Sequence, residues 1–209
     1  MSANKPYVVG LTGGIASGKT VACTHLRDLG AAVIDADIIS RSLTRDDGEA
    51  LSAIREQFGD EYFDENGHLN RKKLGALVFS SVQDRRRLEA ILHPMVQRRT
   101  MEDLIRAGQD GVKLVILSVP LLYETGMDAL CDETWVMWVP DAVQITRLMD
   151  RDGLDEGAAR ARIVAQMPTQ EKLERATYAI SNDRPLEKTR QELTGLYQQA
   201  KKRAEKFSE

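Results

Sequence analysis

The sequence predicts an α/β fold, because short apolar runs alternate with helical stretches, the first run opens through glycines into a helix, and an all-helical segment interrupts the alternation. Tyr7-Val8-Val9-Gly10-Leu11 is the first strand-length run. From Gly18 the pattern turns helical, with Ala22, Leu26 and Leu29 spaced to share one face, and Gly30 ends that helix. Ala31-Ala32-Val33-Ile34 reads as a second buried strand with Asp35 and Asp37 at its tip. Leu114 to Val119 and Thr134 to Val139 repeat the signature, followed by Pro120 and Pro140. Tyr178-Ala179-Ile180-Ser181 is a candidate last strand. A helix follows from about Pro185, with Leu186, Leu193, Leu196 or Tyr197, and Ala200 on one stripe. Buried strands that alternate with helices imply a parallel sheet.

Between about residue 38 and residue 111 only helices are expected, two of them separated by the Asp64-Glu65-Asn66-Gly67 turn, so this stretch reads as a helical insertion. Ala142 to Met149 and Asp155 to Gln166 read as two further helices broken by Asp152-Gly153. No internal repeat or low-complexity segment interrupts the pattern.

The 209 residues are 42% hydrophobic and 29% charged, ordinary usage that argues against disorder and against a collagen-like chain. A net charge of -3 gives no reason to expect nucleic acid or an acidic membrane as a partner. Cys23 and Cys131 form no CxxC or paired framework and are expected to be reduced, buried thiols. No charged-then-apolar leader precedes Tyr7 and no apolar run reaches membrane-span length, so a cytoplasmic protein is expected.

The first chemical signal is Gly13-Gly14-Ile15-Ala16-Ser17-Gly18-Lys19-Thr20, a GxxxxGK[ST] match placed after a strand and before a helix. In that context consecutive backbone N–H groups converge at the helix's positive end and cradle phosphates. Lys19 can reach the β- and γ-phosphates of ATP, and the Thr20 hydroxyl can ligate the Mg²⁺ that bridges them. The alternative, a glycine-rich turn with an exposed lysine, explains neither the strand-to-helix context nor the full match. A GTPase would add a DxxG switch and an NKxD base reader, and neither is present. A P-loop enzyme follows, and small-molecule kinase is the reading that fits the remainder.

Asp35 and Asp37, two apart in an extended strand, project to the same face at its carboxyl end, where open α/β sheets bind ligands. A carboxylate there can orient an acceptor hydroxyl and take its proton, and Asp37 is the candidate base. Its competing role is an ordinary N-cap for the following helix. Arg41, four residues on, can pair with Asp37 or a substrate phosphate, or stand as a solvated surface residue.

These segments together resemble the dephospho-coenzyme A kinase family. The residues that carry the likeness are Gly10-Leu11-Thr12-Gly13-Gly14-Ile15; Val33-Ile34-Asp35-Ala36-Asp37 with Arg41; Leu92-His93-Pro94; Pro120-Leu121-Leu122-Tyr123-Glu124; Arg147-Leu148-Met149 with Arg151; Arg162-Ile163 with Gln166; and Ile180 and Asn182. They run through nearly the whole chain in the family's order. The resemblance implies a three-layer P-loop NTPase core with a five-stranded parallel sheet, a helical domain that receives the substrate, and a mobile lid. It places the core at residues 1–36, 112–142 and 176–209, the acceptor domain at 37–111 and the lid at 143–175. The implied reaction is phosphorylation of the ribose 3′-hydroxyl of dephospho-CoA by ATP with Mg²⁺, by a monomer or small homo-oligomer.

Residue by residue, the resemblance makes Asp37 the base, Lys19 the phosphate contact, Thr20 the magnesium ligand, and Arg147 a lid arginine near the ATP phosphates or adenine. The nucleotide contacts are then Gly13 to Thr20 with Val21, Arg147 and Asn182. Arg41, His93, Leu121, Tyr123 and Glu124 fall on the acceptor side with Asp37, and Arg147 with Arg151, one turn on, can clamp spreading negative charge. The chain departs from the family at four positions. Ala16 stands where glycine is frequent and is tolerable if its φ is negative. Ser118 stands where an acid is frequent, so a second magnesium contact has to come from Asp35 or Asp37 through water, or be absent. Thr177 and Arg184 replace a frequent Asp and Gly near the adenine site.

The remaining residues have plainer readings. His25 and His68 get no chemical role, and His93, extended before Pro94, either makes a hydrogen bond at a helix start or faces the acceptor. Trp135 and Trp138, three apart in a strand, are packing residues on opposite faces. Arg85-Arg86-Arg87 fan around a helix as a solvated face with one packing stem. A kinase for another acceptor, such as a nucleoside monophosphate, and a binding protein without transfer chemistry are the alternatives that turnover on dephospho-CoA separates.

Overall fold

The computed structural model describes residues 5–207. Contacts divide the chain into two compact units, one made of the residues up to Asp35 with those from Asp103 onward, the other Ala36–Glu102.

The first unit is built on a five-stranded parallel sheet in the order β2-β3-β1-β4-β5. The strands are β1 (Tyr7–Gly13), β2 (Ala32–Asp35), β3 (Leu114–Ser118), β4 (Glu133–Trp138) and β5 (Tyr178–Ser181). Every residue of β1 and β3 is buried, as continuous apolar strands covered on both faces must be. One face packs on α1 (Lys19–Asp28) and α9 (Leu186–Phe207), whose Leu26, Leu193, Tyr197 and Ala200 close over Val9, Ile116 and Trp135. The chain leaves β1 toward β2 on one side and later reaches β4 on the other. That reversal puts the topological switch point, where such sheets bind ligands, at the end of β1. After β4 come α6 (Asp141–Asp152), α7 (Glu156–Val164) and α8 (Thr169–Arg175). Gly153, at a left-handed φ of 65°, ends α6, and Asp155 caps α7 by accepting from Ala158 N at 2.7 Å.

The second unit is helical, with α2 (Ala36–Leu43), α3 (Leu51–Phe58), α4 (Arg71–Ser80) and the start of α5 (Val82–Gln109). Asp64 makes the expected turn by accepting from the N–H groups of Asn66 and His68, and Phe63 pairs with Leu69 across it. Asn70 caps α4 through Lys73 N at 3.0 Å. Arg87, one of the three consecutive arginines, lays its guanidinium over Phe58 at 5.5 Å and bonds Asp84 at 3.1 Å.

Several sequence-based expectations need correction. Leu186 is exposed, because the stripe of α9 that meets the sheet starts only at Thr189 and Leu193. The α8 helix was not anticipated; its seven residues are too short for a periodic signal. Helix α5 continues through Pro94, so His93 lies in a helix interior rather than in an extended approach to one. His25 joins α1 to α9, its Nε2 lying 2.9 Å from Thr194 Oγ1. Both cysteines are free; Cys23 is buried and Cys131 half-buried. Burial pushes both thiols up, Cys131 to about 12, which keeps them protonated. Among the described residues no helix is long and apolar enough to cross a membrane.

Candidate functional site

The glycine-rich loop leaves the sheet at its centre, since β1 pairs with β3 on one side and β4 on the other. Gly13 is a close approach: a Cβ there would stand 2.5 Å from Met137 O and from Ser17 Oγ. Gly18 has φ 101°, a left-handed conformation, and a Cβ on it would collide with the Asn182 amide. Side-chain bulk is therefore excluded by backbone and neighbour alike.

The loop's carbonyls are held from behind. Gly14 O accepts from Ser17 N at 3.1 Å, Ala16 O from the Arg147 guanidinium at 3.3 Å, and Ser17 O from Asn182 Nδ2 at 2.9 Å. The other arm of Arg147 donates to Asn182 O at 3.0 Å, so Arg147 and Asn182 form one brace on the loop. The first N–H groups of α1 lack intrahelical partners, as in any helix, and they lie at the positive end of the helix dipole. An anion is what such an arrangement accepts. Thr20 and Val21, in the first turn of α1, are exposed.

Ala16 departs from expectation. Its φ is 61°, left-handed rather than negative, so the side chain is carried at a strain that glycine would avoid. The Asp35/Asp37 pair also differs. Strand β2 ends at Asp35, and Asp37 lies inside the first turn of α2, so the two do not share a strand face and Asp37 is not the residue that precedes the helix. An acid in a first turn complements the helix dipole, and Asp37 is exposed. Arg41, also exposed, lies one turn on, and its carbonyl accepts from Arg71 at 3.2 Å.

Ser118 resolves into a specific contact. Lys19 Nζ donates to its hydroxyl at 2.8 Å, and that hydroxyl lies 3.4 Å from Asp35 Oδ2, because β2 and β3 pair Asp35 with Ser118. Arg27 stands 3.8 Å from the same carboxylate. Lysine, hydroxyl and acid are thus aligned across two strand ends beside the loop. No group of three or more His, Cys, Asp or Glu gathers as a metal cage among the described residues.

The loop after β3 is more internal than its sequence suggests. Tyr123 is buried and donates its hydroxyl to Thr134 Oγ1 at 2.9 Å, and burial raises its pKa. The Arg175 guanidinium covers its ring at 4.2 Å. Leu121 is half-buried, and Glu124 accepts from Met167 N at 3.0 Å and pairs with Lys172 Nζ at 2.8 Å. Arg151, one turn after Arg147 in α6, pairs with Asp152 at 2.8 Å. His93 is half-buried within α5.

Residues for which the sequence reading named no site contact also converge here. Gln166, between α7 and α8, accepts from Ile15 N at 2.9 Å. Gln144 and Trp138 line a cleft of about 480 Å³ that is bordered by Gly14, Met167 and Leu173. Lys172, in a charged stretch that looks like an ordinary solvated face, is fully buried. No spacing rule would have found Gln144, Gln166 or Lys172.

Comparison with known proteins finds relatives along nearly the whole chain. The profile of the family described as dephospho-CoA kinase matches residues 7–188. A dephospho-CoA kinase from Geobacillus kaustophilus is 41% identical over 191 residues, 91% of this chain and 95% of the relative. A crystal structure from Thermus thermophilus superposes with a TM-score of 0.75 at 34% identity, covering 93% of this chain and 97% of that one. A dephospho-CoA kinase from Campylobacter jejuni gives a TM-score of 0.65 at 25% identity, covering 94% and 98%.

Proposed function

The chain belongs to the dephospho-CoA kinase family, and from that membership we propose how its own residues carry the reaction. The activity is transfer of the γ-phosphoryl group of ATP to the ribose 3′-hydroxyl of dephospho-CoA, giving coenzyme A and ADP in the last step of coenzyme A synthesis. The observation that carries the assignment is the family match across residues 7–188, with the phosphate loop formed at the end of a central strand.

The loop Gly13–Thr20 holds the phosphates by its backbone, and Val21 and Asn182 border the nucleotide. Phosphoryl transfer asks the protein for little covalent chemistry, so position and charge dominate. Lys19 leaves Ser118 for the β- and γ-phosphate oxygens, an exchange of one oxygen partner for another. Arg147 brings a fixed positive charge to the loop, where it supports the negative charge that spreads over the phosphoryl oxygens. Asp37 orients the 3′-hydroxyl and accepts its proton. Arg41, His93 and Leu121 are acceptor-side residues; Tyr123 shapes the acceptor loop from inside, and Glu124 anchors it.

Mg²⁺ prefers oxygen ligands, keeps several waters and takes one or two protein groups besides phosphates. Thr20 directly and Asp35 through water would be a donor set of that kind. When bound, the ion neutralises charge between the β- and γ-phosphates. The helices between residues 143 and 175 act as the lid, which closes over the phosphates and keeps water out.

An ADP-release assay with dephospho-CoA, AMP and UMP as acceptors tests the reading. Turnover is expected with dephospho-CoA alone, with the new phosphate on the 3′-oxygen by phosphorus NMR. Equal turnover on AMP, or none on dephospho-CoA, would overturn it.

A further inference from the structure

We infer that Lys172 is a positioning residue for phosphoryl transfer, seating the segment before α8 so that Gln166 holds the phosphate loop at Ile15. The inference rests on the kinase reading and adds residues to it. Lys172 has no exposed side-chain surface. A buried ammonium is costly unless it is paired and hydrogen-bonded, and an apolar side chain of similar volume would serve stability as well or better. What the lysine supplies that an apolar residue cannot is direction.

Its ammonium meets two oxygens, Glu124 Oε1 at 2.8 Å and Pro120 O at 3.3 Å. Each oxygen has a second partner. Glu124 Oε1 also accepts from Met167 N at 3.0 Å, and Pro120 O also accepts from Thr12 Oγ1 at 3.1 Å. Met167 adjoins Gln166, whose Oε1 accepts from Ile15 N at 2.9 Å. Thr12 and Ile15 lie on either side of Gly13-Gly14, so the network grips the start of the phosphate loop at both ends. Arg175, on the same short helix, bonds Asp128 at 2.8 Å and strengthens the docking.

The consequence is a mechanical link. When α8 is docked, Lys172 fixes Glu124, Glu124 fixes Met167, and Gln166 is delivered to Ile15. When α8 is loose, Ile15 loses its partner and the loop carrying Lys19 and Thr20 loses its register with the acceptor. A misplacement of about 1 Å in a phosphoryl-transfer site costs on the order of a hundredfold in rate, so a link of this kind should register mainly in kcat.

Three variants of the full chain test the inference: Lys172→Met, Gln166→Leu and the double variant. Each is measured for kcat, for KM with both substrates and for hydrogen exchange at the Ile15 amide. Each single change is expected to lower kcat by roughly tenfold to a hundredfold, to leave KM for dephospho-CoA within about threefold, and to speed exchange at Ile15. The double variant should be no slower than Lys172→Met, because the two side chains act through one contact. Losses that multiply in the double variant would overturn the inference, as would a wild-type kcat in Gln166→Leu. If Lys172→Met fails to fold, Gln166→Leu decides by the same thresholds. Wild-type turnover on dephospho-CoA reads the kinase assignment separately.

Discussion

The phosphate loop and helix α7, both in the sheet-containing unit, share a small apolar cluster but differ in their polar contacts. The loop's contacts reach far along the sequence: Arg147 to Ala16, Asn182 to Ser17 and Gln166 to Ile15 join residues more than a hundred positions apart. Helix α7 is held on its outside by exposed ion pairs, Arg160 with Glu156 at 2.7 Å and Arg162 with Asp152 at 2.6 Å, and it leaves Val164 82% exposed. Long-range buried hydrogen bonds fix a shape, because each unmade partner is penalised in the interior. Exposed pairs contribute little and rearrange easily. The difference suits the proposed roles, a loop that holds phosphates at fixed points and a lid helix that moves over them.

Four experiments probe that contrast, beginning with the largest expected effect. Gly18→Ala adds a methyl where the Asn182 amide stands, in a left-handed conformation, and should destabilise by on the order of 3 kcal/mol and abolish ATP binding in a calorimetric titration. Asn182→Ala leaves Ser17 O without its donor and should cost about 1–3 kcal/mol in thermal or urea unfolding, with a raised KM for ATP. Ala16→Gly relieves the positive φ and should stabilise by roughly 0.5–1 kcal/mol, since the strain removed exceeds the entropy glycine adds to the unfolded chain. Arg162→Ala should cost less than about 1 kcal/mol, an effect that salt erases. A loss from Arg162→Ala as large as that from Asn182→Ala would break the contrast.

Acid sharpens the same comparison. Arg151, and after it Arg162, hold the Asp152 carboxyl below its usual range. A depressed folded pKa supplies stability above the unfolded value and loses it as pH falls through the folded one. The protection of amides near Asp152, relative to their intrinsic exchange at each pH, should therefore fall below about pH 4 before that of the phosphate loop does.

Much of the fold was legible because its signals are local. Four of the five apolar runs are strand-length stretches bounded by glycine or proline, and the loop motif names its own context. Other features depended on tertiary contacts. Asp37 reads as a strand residue until the helix is seen to begin at Ala36. Ala16 takes a left-handed φ, for which alanine carries no sequence signal. Pro94 normally argues for a helix boundary, and α5 runs through it. The buried Lys172 sits among Glu171, Glu174 and Arg175, where only a fold can distinguish a core lysine from a surface one. In the candidate site the backbone cradle was readable from glycine spacing. Of the side chains that brace it, Gln166 entered only through the family likeness and Lys172 not at all, because their partners lie more than forty residues away.

In the proposed mechanism Asp37 is the group that receives the proton of the acceptor hydroxyl. The most direct measurement is the turnover of Asp37→Asn beside its ATP affinity, in an otherwise unchanged chain. A fall in kcat by a factor on the order of 10² or more with ATP binding intact is the predicted result. A variant that turns over dephospho-CoA at the wild-type rate would contradict it.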